Sequence, residues 1–181
     1  MKNKNLINIF FVCLLCSCTP VKNEINTTIE DQKSCSKNIE KIDNEFPLGI
    51  IGEIEPIHIE NMENPLFARI DSGADTSSID AKNIKYFERD GKSWVKFEIV
   101  NRKTGERKLF KKRIKRKVRI KKNQKYDRRK VVLMNVKFGN LSLEREFTLT
   151  NRSQFEYQVL IGRNIISGIA IIDVSKSITL K

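Results

Sequence analysis

The chain has 181 residues, with 35 Lys and Arg against 22 Asp and Glu, a net charge of +13, four cysteines and one histidine. That histidine, His58, stands in no His-Glu-x-x-His pattern, so the three His, Cys, Asp or Glu ligands that a catalytic zinc needs have no sequence signature here, and no Gly-x-x-x-x-Gly-Lys-Ser/Thr loop offers intrinsic ATP binding. No metal and no cofactor is therefore expected, and with no internal repeat one core suffices.

Lys2 and Lys4 precede an apolar stretch from Leu6 to Leu15, too short to span a bilayer and of the length of a signal-peptide core. It ends in Leu15-Cys16-Ser17-Cys18, which resembles a bacterial lipobox. Cleavage after Ser17 would remove residues 1–17, leave Cys18 to carry acyl chains, and anchor the protein to a bacterial membrane facing the periplasm or the cell exterior. The alternative is a signal anchor left uncut. Residues 18–45 hold Asn, Lys, Glu, Ser and Thr without an apolar period, the composition of a flexible tether. Once Cys13 and Cys16 leave and Cys18 takes lipid, Cys35 is the one remaining thiol, an incidental linker cysteine or an intermolecular bridge, and no disulfide framework is possible.

From Phe46 the pattern changes to short strands, predicted at Leu48 to Glu55, Ile57 to Ile59 and Leu66 to Ile70, with Pro56 and Asn61 to Pro65 as turns. The third strand runs into Asp71-Ser72-Gly73-Ala74. Trp94 to Val100 alternates as a half-buried strand, with Trp94 packed against a sheet. Between Lys111 and Lys130, thirteen Lys or Arg residues face only Asp127; Phe110 just before them and Ile114, Val118 and Ile120 among them suit extended hairpin arms with charged sides in water. Val131 to Phe138 and Leu141 to Thr150 flank Gly139-Asn140, a hairpin connection. Val159-Leu160-Ile161-Gly162-Arg163-Asn164 follows, then a short helix at Ile165 to Gly168 and closing strands at Ile169 to Val174 and Ile178 to Leu180. Residues 46–181 thus read as one all-β domain, mainly strand with one short helix.

Metal-free hydrolysis of a peptide without a covalent nucleophile needs one carboxylate to deprotonate water and a second, protonated, to polarise the scissile carbonyl. Two aspartates about 3 Å apart share one proton because they cannot both ionise. Gly73 after the Asp-Ser pair permits close backbone approach and frees an amide for the Asp71 carboxylate, and the Ser72 hydroxyl can brace the loop. An Asp-Ser-Gly alone is also an ordinary turn. Residues 68–79 and 159–166 together, however, resemble the retropepsin family at both of its defining segments, and the resemblance extends from Ile50 to the C-terminus. A closer likeness is to a bacterial branch often named ATP-dependent zinc protease and associated by name with RimK-type ligases. It is carried by residues 71–81, by Arg128 to Leu133, and by Thr148 to Ser153 leading into Tyr157 and Gly162 to Asn164. Asp80 stands where that branch suggests histidine, and Gln158 where it suggests proline.

The resemblance implies a retropepsin-like acid-protease half-barrel in which Asp71 is the catalytic aspartate of an aspartic endopeptidase, Leu160-Ile161-Gly162 passes beneath its loop, and Asp75 and Arg163 form a partly buried salt bridge. One Asp-Ser-Gly supplies half a dyad, so an active enzyme would be a homodimer with Asp71 of each chain at a two-fold interface to which Ile178 to Lys181 contribute. Residues 111–130 fall where retropepsins carry a flap; the plainer reading is a solvated charge face. Peptide or protein is the expected substrate, and anionic lipid or an acidic polymer the expected partner of residues 111–130; no nucleic acid is expected outside the cell. The alternative function is a non-catalytic module of the same fold that binds peptides or envelope components, and a third is a polybasic adaptor on the membrane surface.

Overall fold

The computed structural model describes residues 46–122 and 125–180. The expected signal peptide, the expected lipidation site Cys18, the expected tether and Cys35 lie outside the described residues.

The chain forms β1 (Ile50–Ile51), β2 (Ile54–Ile59), β3 (Leu66–Ile70), β4 (Ser77–Asp80), β5 (Lys82–Arg89), β6 (Lys92–Val100), β7 (Arg107–Lys122), β8 (Lys125–Phe138), β9 (Leu141–Thr150), β10 (Val159–Ile161), α1 (Arg163–Ile166) and β11 (Ile171–Ile172). This is the all-β class expected, with one short helix among the described residues. Nine strands make one sheet in the order β2-β3-β10-β4-β9-β8-β7-β6-β5, and β2 also pairs with β8 through His58 and Ile59. That second pairing closes β2, β3, β10, β4, β9 and β8 into a six-stranded barrel and leaves β7, β6 and β5 as an apron. Alternation explains the apron: Val95, Phe97 and Ile99 of β6 and Phe110 of β7 turn one face inward, with Phe97 stacked on Phe110 at 5.4 Å between ring centroids. Inside the barrel, Ile57, Leu66, Ala68, Ile79, Met134, Phe147, Val159 and Ile161 are buried.

Several elements differ from expectation. Pro56 lies within β2, opposite Phe67, and is no turn. It shares its strand side with Ile54, whose carbonyl accepts from Ile178 and not from β3, so the missing N–H breaks no rung to β3. β4 was not expected, because Ser77, Ser78, Ile79 and Asp80 are all buried and show no alternation. β5 was missed because it is mostly polar and exposed; its signal was Asp90-Gly91, whose φ values of 52° and 66° make a two-residue hairpin turn into β6. Trp94 is packed half-buried on the outer face of β6, against Phe87 and opposite the core side chains. α1 begins at Arg163 and stops at Ile166, and β11 keeps only two residues of the strand predicted from Ile169.

Ile178 to Leu180 form no strand. Their amides are spent elsewhere: Thr179 N and Leu180 N each donate to Glu55 Oε2 at 2.9 Å, and the Thr179 hydroxyl donates to Oε1 at 2.6 Å. Gly52 N donates to the same Oε1 at 2.6 Å. Glu55, on β2, is 0% exposed, so a buried carboxylate with donors on both oxygens clamps the C-terminal segment onto the barrel.

Candidate active site

β3 and β4 are consecutive in sequence but not neighbours; β10 lies between them, parallel to β3 through Ile161 and Ile70 and antiparallel to β4 through Val159 and Ile79. The loop joining β3 to β4 must therefore arch over the end of β10, and Asp71 is its first residue. Asp71 N donates to Ile161 O at 2.9 Å, Gly73 N donates to Asp71 Oδ1 at 2.9 Å, and Ala74 N to Asp71 O at 3.3 Å. The carboxylate is thus held by its own loop, and Ser72, Gly73 and Asp75 face solvent.

Beneath the loop Gly162 is pressed so close that a Cβ there would come within 2.6 Å of Ala74 O. Gly162 N donates to Ser77 Oγ at 3.0 Å, and Ser77 Oγ in turn donates to Asn164 Oδ1 at 2.8 Å. Asn164 accepts from Ser77 N as well and donates to Glu146 O at 2.9 Å, tying β4, β9 and α1 together. Sequence reasoning assigned the bracing to Ser72; here Ser77 and Asn164 provide it, and Ser72 contributes its carbonyl, which accepts from Arg163 Nη1 at 2.6 Å. Their signal was present in the Thr-Ser-Ser and Gly-Arg-Asn runs, but polar residues in a loop do not announce which of them turn inward.

Arg163 pairs with Asp75, as the resemblance implied, but the partly buried setting is corrected: the Asp75 side chain is 85% exposed. The pair lies in water, where such a bridge contributes about 0–1 kcal/mol instead of the several expected of a buried one.

A second polar cluster was not foreseen. Asp80, 2% exposed at the end of β4, accepts from Arg152 N at 2.7 Å and Arg102 Nη2 at 2.8 Å, with Lys82 Nζ at 3.3 Å. Burial alone would raise its carboxyl, but the Arg152 amide, Arg102 and Lys82 together hold it below the ordinary aspartate value. Arg152, itself buried, bonds Ser78 Oγ at 2.9 Å and Tyr157 O at 3.1 Å and lies over Phe155. Burial draws its guanidinium below the usual value, Arg129 of β8 adds repulsion, and Asp80 and Asp71 oppose that shift. Gln158 joins in, accepting from Arg102 N at 2.8 Å and donating to Val100 O. Both departures from the bacterial branch, Asp80 and Gln158, thus sit in one network with Arg102.

The basic hairpin β7–β8 reaches this region. Arg116 Nε donates to Glu146 Oε2 at 2.7 Å and Nη2 to Thr76 Oγ1 at 3.3 Å, which places β7 beside the Asp71 loop. Among the described residues, no group of three or more His, Cys, Asp or Glu side chains is placed to hold a metal ion, and His58 is exposed on β2.

A family model described as RimB-like, "Retropepsin-like aspartic endopeptidase RimB", matches residues 50–181. A Shewanella halifaxensis protein described as "Probable alpha-L-glutamate ligase" is 37% identical over 116 residues, 62% of this chain and 25% of that protein. One of the same description from Desulfotalea psychrophila is 38% identical over 114 residues, 59% of this chain and 24% of that protein. The chain spans about a quarter of the length of the curated relatives it matches. A crystal structure of the Legionella pneumophila protein Lpg0085, of unknown function, superposes with a TM-score of 0.64 at 30% identity, covering 74% of this chain and 98% of that one.

Proposed function

The chain belongs to the RimB-like family of retropepsin-like aspartic endopeptidases, and on that premise we propose that it hydrolyses peptide bonds as a homodimer, with Asp71 contributed by each subunit. The observation that carries this reading is the arch of the Asp71 loop over β10, with Gly73 N on the carboxylate and Asp71 N on Ile161 O. A two-fold axis beside the exposed Ser72 and Gly73 brings the two carboxylates together. They share one proton and hold a water between them. The ionised carboxylate takes a proton from that water as its oxygen attacks the scissile carbonyl; the protonated one donates to the carbonyl oxygen. The resulting gem-diol collapses as one carboxyl protonates the leaving nitrogen and the other carboxylate takes the proton of a gem-diol hydroxyl, so that the C–N bond breaks, the product acid forms and the pair is again singly protonated.

The arms of β7 and β8 act in this reading as the flap, and their surplus of Lys and Arg favours substrates with acidic residues around the cleaved bond. Acylated Cys18 anchors the enzyme outside the cytoplasm and confines both subunits to one plane, which raises their effective concentration. The test is cleavage of a diverse peptide mixture by the full chain made unlipidated with Cys18→Ser, compared with the same chain carrying Asp71→Asn, from about pH 4 to about pH 8 at several protein concentrations. Expected are products that vanish with Asp71→Asn, rise faster than linearly with protein, and concentrate at acidic positions.

A second reading has one observation in its favour. In the curated relatives the matching stretch is about a quarter of a protein described as a probable alpha-L-glutamate ligase, a setting that suits an accessory peptide-binding module. A wild type that is dimeric yet silent on every peptide, and that still binds acidic peptides when Asp71 is replaced, would select that reading.

A further inference from the structure

The outer face of the apron carries a further set of charges, most of them on β5 and β6 outside the β7–β8 arms. Register sets it out in rows. Lys85, Lys96 and Lys111 stand side by side across β5, β6 and β7; Phe87, Trp94 and Arg113 form the next row; Arg89 and Lys92 close it at the hairpin turn. These rows contain six cations around two aromatic rings and no carboxylate; the acids at their border are Asp90, paired with Arg89, Glu98, one row further on, and Glu144, which lines a groove with Trp94 and Lys111. The opposite face of the same strands is the buried one, with Val95, Phe97 and Ile99, so this arrangement is the solvent side of a well-packed sheet.

Two grooves open on the face. One of about 440 Å³ lies among Trp94, Lys111, Arg113 and Leu133, with Glu144 at its rim; another of about 430 Å³ lies over Phe87, Arg89, Trp94 and Lys96. Trp94 borders both, and its buried indole N–H has no hydrogen-bond partner among the described residues. A buried donor without an acceptor is costly.

We infer that this face docks the domain on an anionic membrane surface, with phosphate groups among Lys96, Lys111 and Arg113 and the rings of Phe87 and Trp94 at the headgroup level. The aromatic pair decides between lipid and a soluble acidic polymer: a polyanion would satisfy the cations but offer the rings no apolar layer, whereas an interface accepts an apolar body with a polar tip. The lipidation expected at Cys18 would hold the domain at the same kind of surface. The inference does not use the peptidase reading; Asp71→Asn is expected to dock like wild type.

The experiment uses the full chain with Cys18→Ser, so that acyl chains do not mask binding, and vesicles of phosphatidylcholine with or without phosphatidylglycerol. Trp94 is the one tryptophan of the chain and reports its own environment. Expected are sedimentation with the anionic vesicles alone, a blue shift of Trp94 emission and its quenching by brominated lipid. Lys96→Glu with Lys111→Glu should lower the partition coefficient about hundredfold, while Lys117→Glu with Arg119→Glu, on the hairpin arm, should change it far less. Equal binding to neutral vesicles, no binding, binding with an unchanged Trp94 spectrum, or greater sensitivity at Lys117 and Arg119 than at Lys96 and Lys111 would each overturn the inference. So would soluble polyglutamate that reproduces the blue shift and competes with the vesicles.

Discussion

Replacing Asp80 by Asn keeps the size of the side chain and removes a buried charge on which three elements converge. One carboxylate oxygen accepts from the Arg152 amide at 2.7 Å and faces Lys82, and the other accepts from Arg102 at 2.8 Å. An amide cannot satisfy both sides: its NH₂ must point a donor at a donor. The ion pair of the buried carboxylate with Arg102 is lost, and Arg152, 6% exposed, loses the attraction of Asp80. Breaking such a pair from one side costs about 3–5 kcal/mol; because Arg102 and Lys82 are each about a third exposed and partly solvated, the lower end applies, about 3 kcal/mol. For a domain of this size that corresponds to a melting temperature lower by about 6–12 °C. The pH dependence gives a second handle. The Asp80 carboxyl is held below its unfolded value, so its stabilisation is fully present above that unfolded value and is lost as pH falls through the folded one. Asn does not titrate. Urea midpoints of wild type and Asp80→Asn should therefore differ by a constant amount from neutrality to about pH 5 and converge below about pH 4. A variant within about 1 kcal/mol of wild type at neutral pH, or a gap that stays open at the acid end, would refute the argument.

Glu55→Gln turns one acceptor of the C-terminal clamp into a donor facing Gly52 and Thr179 or Thr179 and Leu180; a loss of about 2–3 kcal/mol and earlier proteolysis of residues 174–180 are expected, read by urea unfolding and limited digestion. Gly162→Ala forces the Asp71 loop outward, because its Cβ would approach Ala74 O to 2.6 Å; about 1–3 kcal/mol of overpacking cost should come with a larger loss of peptide cleavage. Asp75→Asn should move stability by less than about 1 kcal/mol, since the pair is exposed. Arg163→Ala also removes the bond to Ser72 O, so kcat/KM should fall about tenfold with stability nearly unchanged; equal effects of Asp75→Asn and Arg163→Ala on turnover would show that the carbonyl contact is idle.

What could be read from the sequence followed the strength of its periodicity. β3, β6 and β9 alternate or end at a motif, and their predicted bounds match closely. The Asp71 and Gly162 segments were legible because glycine is required at a close backbone approach, and their juxtaposition follows from the resemblance. β4 and the Asp80 network were not, since a strand buried on both faces and lined with Ser and Asp carries neither alternation nor an apolar run. The burial of Glu55 was equally hidden: its partners Thr179 and Leu180 are 124 and 125 residues away, and no local pattern encodes so distant a clamp. The strand expected at Ile178 to Leu180 failed for the same reason, because the amides of Thr179 and Leu180 are tethered to the Glu55 carboxylate, while that of Ile178 donates to Ile54 O.

The insertion of β10 between β3 and β4 also sets an order of events in folding. β3 and β4 are made early, but the three residues that join them side by side come some ninety positions later, at Val159 to Ile161. Until that part of the chain arrives, each of the two strands keeps an open edge, and the loop between them has nothing to arch over. Closure is thus a late, long-range step of the kind that slows β-rich proteins. A ribosome that stops short of residue 159, or a protease that trims the chain back to it, would leave a sheet with a gap through its middle and two sticky borders ready to pair with a neighbour. Asp71 can be held in its arched loop only after residues 159–161 have been made.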